Sequence, residues 1–177
     1  MFLWVLVLQL PRVVAQSLVE VYWLGVGEDL ALATGGWLIY CAIAGRNDWS
    51  ARAAQIAFGL ALLPIGLSHF VYLKLAMSFI PAWMPFHSLL TMITGAGHIA
   101  AGFAIAFGIM PRIAATLEAV METLITLVVW ISAVAVTPTS RAAWVNLFIS
   151  TAITAAAWAV TESYRRAPTN QVLSSRG

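Results

Sequence analysis

The feature that most constrains this chain is a series of apolar stretches, each about as long as a membrane is thick. A hydrocarbon core of roughly 30 Å takes about 20 residues of helix to cross. Stretches of that length lie at residues 25 to 45, 52 to 73, 87 to 110, 112 to 136 and 142 to 163. Residues 2 to 14 are apolar but too few to cross untilted. The expected fold is therefore all-α, a polytopic transmembrane helical bundle of five full spans and one truncated N-terminal helix. Composition agrees. Of 177 residues, 62% are apolar and 9% charged, more apolar surface than a soluble domain of this length can bury in one core. Lipid is the expected solvent and first partner.

The connectors carry turn chemistry: RNDWSAR, SFIPAWMPFHS, MPR and TPTSR, each short enough to make neighbouring helices antiparallel. Counting residues 2 to 14 as a span, Arg46, Arg52, Arg112, Arg165, Arg166 and Arg176 fall on one side, and Arg12, Lys74 and Arg141 on the other. This asymmetry puts both termini, including a tail at 167 to 177, in the cytoplasm. Trp23, Trp83 and Trp144 gather near helix ends on the opposite face, as an interfacial aromatic belt does. The opening MFLWVLVLQLPRVVAQ has no basic n-region and places Arg12 after its apolar run, so it reads as membrane-resident rather than as a cleaved leader.

A net charge of +2 arises from scattered residues, with no basic stripe to follow a phosphate backbone, so nucleic acid is not an expected partner. The single cysteine, Cys41, excludes an internal disulfide, a C-x-x-C pair and a cysteine-based zinc site. There is no H-E-x-x-H helix, Walker loop, G-x-G-x-x-G turn or nucleophile elbow. No metal site is expected from these patterns.

Residues 2 to 46 resemble residues 123 to 167 at a constant offset. Trp23 and Trp37 match Trp144 and Trp158, and Val14 matches Ala135. This reads as one helix pair used twice. The chain then holds one four-helix unit, residues 52 to 166, preceded by an incomplete pair at 1 to 46. The unmatched first helix is expected to belong to an architecture of two such units, burying its face against helices upstream of Met1.

Gly66, His69 and Phe70 end one helix, and Pro81, Trp83 and Pro85 mark the loop after it. Thr94 and Gly95, the GHIAAG run from Gly97 to Gly102, and Arg112 with Ala114 and Ala115 follow. In that order these residues resemble the DoxX-like family of four-helix bacterial membrane proteins, over residues 52 to about 136 and by position to 166. The resemblance implies residence in a bacterial inner membrane. It also implies service as the membrane subunit of a quinone-linked or thiol redox system, with a redox partner subunit and a quinone as the implied ligand. Many relatives carry a Glu where this chain has His98.

Ionisable side chains inside a bilayer are costly and mark sites. His98 lies midway along its span on a face shared with Thr94, Gly95 and Gly102, where another helix can approach closely. Glu118 and Glu122 are one turn apart and project together. Glu118 is expected to reach interfacial water near Arg112, and Glu122 to share the depth of His98, counted from Pro111. Pro64 is expected to kink its helix and open a pocket beside His69 and Tyr72. His69 and His98 are expected on the order of 10 Å apart in depth, which argues against a shared haem. Glu28 and Asp29 read as residues opening a helix, where carboxylates suit the dipole. Three functions fit. The first is a redox subunit docking a lipophilic ligand against His69, Tyr72, His98 and Glu122. The second is a permease or proton-coupled carrier using His98 and the two glutamates. The third is a non-catalytic scaffold.

Overall fold

The computed structural model describes residues 2–46 and 49–165. Arg166, Arg176 and the expected tail at 167–177 lie outside the described residues. The described chain is helical apart from short connectors, with no strand. Phe2–Trp4, a π-helical turn Val5–Gln9 and Leu10–Ala15 run on as one segment, α1. Then come α2 (Glu20–Ile43), α3 (Trp49–Val71), the short α4 (Leu73–Phe79), α5 (His87–Phe107), α6 (Pro111–Val136, with a π turn at Ile125–Trp130) and α7 (Arg141–Arg165).

Among the described residues, α3, α5, α6 and α7 are long and apolar enough to cross a membrane. The expectation was five such spans. α2 has the length, 24 residues, but Glu20, Glu28 and Asp29 lower its apolar character, and it is not among the four. The helix also begins five residues before the expected start, so Glu28 and Asp29 stand in its third turn and do not cap it. Gln9 Nε2 donates to Asp29 Oδ2 at 2.8 Å, and thus α1 supplies the partner that a buried carboxylate needs. The outer surface is apolar, as a lipid-solvated bundle requires: Ile93, Leu117, Leu127 and Phe148 all point outward, each more than half exposed.

α3 packs on α2 and α5, α6 on α5 and α7, and α7 on α2, which closes a ring of five helices. Small residues set the distances. A Cβ on Gly59 would lie 2.7 Å from the carbonyl oxygen of Gly102, and one on Gly102 would lie 2.6 Å from that of Gly59. Two turns on, a Cβ on Gly66 would lie 2.6 Å from the carbonyl oxygen of Gly95. The face of α5 that carries Gly95, His98 and Gly102 therefore receives the backbone of α3, as its small residues suggested. α3 remains helical through Pro64, whose ring meets α2 at Gly27. At one end of the bundle Arg52 donates to Tyr164 Oη at 3.1 Å and Gln55 Nε2 to Ser163 Oγ at 2.9 Å, tying α3 to α7.

The repeat extends to backbone detail. α1 and α6 end at matched residues, Ala15 and Val136, and α2 and α7 begin at matched residues, Glu20 and Arg141. Both first helices contain a π turn at the matched place. In each connecting turn an indole closes back on the chain: Trp23 Nε1 donates to the carbonyl of Ser17, and Trp144 Nε1 to that of Pro138, both at 2.9 Å.

Candidate functional site

The interior polar cluster is built around the turn between α5 and α6. Gly108 (φ 76°) and Met110 (φ 42°) both take left-handed backbone, and Pro111 opens α6 with its φ already helical. The chain therefore reverses around Gly108. Equal steps back from that point pair His98 with Glu118. Counting from Pro111 had favoured Glu122, and the shift of the turn's centre is the reason for the difference.

His98 is 1% exposed, as is Glu118. His98 Nδ1 donates to Glu118 Oε1 at 2.8 Å. The other ring nitrogen, Nε2, lies 3.7 Å from Glu122 Oε1, so the imidazole sits between the two carboxylates. The expected meeting of His98 and Glu122 is present, and the nearer partner is Glu118. The expectation that Glu118 reaches interfacial water is corrected: α5 covers it completely. Glu118 Oε2 is buried and has no hydrogen-bond partner. Glu122 is oriented from α7, where Ser150 Oγ donates to its Oε2 at 3.3 Å. Ser150 shares a 2.6 Å hydrogen bond with Thr126, which is joined to Thr154 at 3.0 Å.

His69 is brought to the same place. Its ring centroid is 5.3 Å from that of His98, with the planes tilted by 48°, against an expected depth difference of about 10 Å at 1.5 Å per residue. The hairpin between α3 and α5 is lopsided: α4 and the loop after it lengthen the α3 side. Gly66 therefore lies level with Gly95, and His69 stands beside Gly95, where a Cβ would fall 2.7 Å from its own. His69 Nδ1 donates to the carbonyl of Ile65 at 3.0 Å, which leaves Nε2 with its lone pair free in the neutral ring.

These groups border a cavity of about 260 Å³ to which each helix of the ring contributes a polar side chain: Glu28 from α2, His69 from α3, His98 from α5, Glu122 from α6 and Ser150 from α7. Tyr72, just past the end of α3, lines it too. No Lys or Arg is part of the lining. A second, apolar cavity of about 510 Å³ lies alongside, bordered by Met84, Ile93, Met121, Val128 and Trp130. His69, Ala76, Phe79, Ile125 and Trp130 border both. One nitrogen or oxygen from each of His98, Glu118 and Glu122 can be chosen so that all three lie within 4.8 Å of one another.

Sequence reasoning did not single out Glu28, Ser150 or Thr126. For Glu28 a signal existed: Ala31 and Gly35, three and seven residues on, are buried small residues of the same helical face. Placing the helix start at residue 25 concealed it. Ser150 and Thr126 resemble the other hydroxyls of these helices, most of which bond their own backbone, and nothing in their spacing distinguishes them.

Comparison of the chain with protein-family models, with curated proteins and with solved structures finds no match.

Proposed function

We propose that this membrane protein binds a lipophilic ligand with an oxygen-bearing head, of the quinone class, and exchanges protons with it inside the bundle. The observation that carries this reading is the pair of adjoining cavities, one apolar and one lined by imidazoles and carboxylates, with His69 on the border of both. An apolar tail fits the larger cavity. A carbonyl oxygen of the head accepts a hydrogen bond from an imidazole, and a hydroxyl of the reduced head donates one to Glu122. Pockets of this composition, mostly apolar with a few convergent polar groups, are the usual form of small-molecule sites. The resemblance of residues 52 to about 136 to the DoxX-like family supports a place as membrane subunit of a redox or thiol system, with electrons passing to a partner subunit. It also supports residence in a bacterial inner membrane, and the distribution of Arg and Lys supports a cytoplasmic C-terminus.

The test is titration of the detergent-purified protein with a short-chain quinone, read by quenching of Trp130 against a Trp130→Phe control. Saturable quenching that is lost on closing the apolar cavity supports the reading. Its absence, with no lipophile co-purifying, overturns it. A second reading, a proton-coupled carrier, is favoured by carboxylates from α2 and α6 facing one cavity without a fixed cation. Proton-driven solute flux in proteoliposomes separates it from the first.

A further inference from the structure

We propose that His98 and Glu122, with Glu118 behind the imidazole, form a binding site for one divalent transition-metal ion in the interior of the bundle. The site goes beyond the lipophilic-ligand reading and does not require it.

Charge is the first argument. Glu118 and Glu122 are 1% and 5% exposed, and burying two carboxylates in a membrane protein calls for compensation. The cavity beside them has no Lys or Arg in its lining, and Glu28 adds a third carboxylate to it. A divalent cation balances Glu118 and Glu122 while both histidines stay neutral.

Geometry is the second. The Nδ1–H of His98 is held by Glu118 at 2.8 Å, so the lone pair of the neutral ring is on Nε2, the nitrogen on the Glu122 side. A carboxylate–imidazole pair of this kind commonly stands behind a metal and fixes the ligand's tautomer and orientation. Nε2 and Glu122 Oε1 are 3.7 Å apart, too far for a hydrogen bond. An ion bonded to both at about 2.1 Å subtends an angle of about 120° at that separation, near the tetrahedral range. Glu122 has its own support in Ser150. The free Nε2 of His69, on a ring 5.3 Å away, is the third ligand the arrangement offers.

The third argument is Glu118 Oε2, a buried carboxylate oxygen with no hydrogen-bond partner. Such an atom is costly unless a positive charge lies close by, and an ion on the far side of the imidazole supplies one. Imidazole and carboxylate donors without thiolate select the zinc, manganese, iron(II) and cobalt(II) group.

The experiment strips the full chain with EDTA in detergent and titrates it with Co(II), read by visible absorption and metal content, followed by displacement with Zn(II). The expected result is one Co(II) per chain, displaced by Zn(II). Glu122→Gln and His98→Gln should bind at least about 100-fold more weakly, and Glu118→Gln about 10- to 100-fold more weakly. His87→Ala, away from the cluster, should bind as the wild type does. Mn(II) in the unmutated chain should show imidazole nitrogen coupling by pulsed electron paramagnetic resonance, a readout that does not depend on any variant folding. Metal content below a tenth of an equivalent, absence of nitrogen coupling, or wild-type affinity in a folded Glu122→Gln overturns the site. Quinone titration of the EDTA-treated protein is a separate reading: saturable quenching there with no metal uptake defeats the metal site alone, and metal uptake without quenching defeats the quinone alone.

Discussion

Gly35 and Ala156 occupy the same position in the two copies of the helix pair, and they touch each other: a Cβ on Gly35 would lie 2.7 Å from the Cα of Ala156. Equivalent residues meet in this way where a pseudo-two-fold axis passes between them. The axis runs along the seam of α2 and α7. Further matched pairs lie along it, Glu28 and Ile149 at the polar cavity, and Leu38 and Ala159 at a smaller cavity toward the other end. The two copies are therefore parallel and face each other across the bundle.

Gly35→Ala should destabilise the protein by about 1–3 kcal/mol, the usual cost of overpacking, because the added methyl meets both the methyl and the Cα of Ala156. The exchange Gly35→Ala with Ala156→Gly moves the methyl to the other side of the seam and should recover most of the loss. Thermal unfolding in detergent of the two single variants and the pair checks this, and additive losses would refute the contact.

Gly102→Val should separate α3 from α5, since even a Cβ meets the carbonyl of Gly59. The effect should reach beyond stability, because the same register holds His69 against His98. Distance measurement between spin labels on α3 and α5 should show a wider separation, and Gly97→Ala, which meets only the flexible Met121 side chain, should not.

His98→Ala should cost about 3–5 kcal/mol, the range for removing one partner of a buried charged pair. Glu118→Gln keeps an oxygen to accept from Nδ1 and removes the charge, so alone it should cost less. In the double variant the carboxylate is no longer stranded, and the combined loss should fall below the sum. Unfolding titrations of the four proteins give the coupling directly, and strict additivity would show that the pair is not coupled.

Val128→Trp should fill the apolar cavity, whose lining includes Val128 and Met121, and abolish quinone-dependent quenching while leaving divalent-metal content unchanged. Loss of both activities with the fold intact would contradict the separation of the two cavities.

Much of this was legible in the sequence, and for identifiable reasons. The long apolar helices follow from hydropathy because lipid allows little else to cross it. The repeat was visible in Trp23 and Trp144 because both rings serve the same turn, each bonding a carbonyl six residues back. His98 and Glu122 were singled out because ionisable groups are rare in such helices. Register was harder to read. The pairing of His98 with Glu118 depends on where the chain reverses, which Gly108 and Met110 decide by taking positive φ, and the closeness of His69 to His98 depends on the extra turn of α4. Neither is a periodicity. Glu28 was hidden by the start of its helix, a boundary that local sequence specifies weakly.

The π turn at Ile125–Trp130 gives α6 one residue more than an ordinary helix would need there. Upstream of it Glu118 and Glu122 look toward His98. Within it Thr126 turns to Ser150, and Trp130 at its end rests on Phe79, ring centroids 5.1 Å apart. Removing a single residue from this stretch would restore a regular helix and swing everything after it by about 100°, carrying the Trp144 turn and α7 out of alignment with α2. Side chains here can be exchanged one for another more freely than the count of residues can change, and the matching bulge in α1 puts the same restriction on the other copy: at these two places the gene is held to a length rather than to a spelling.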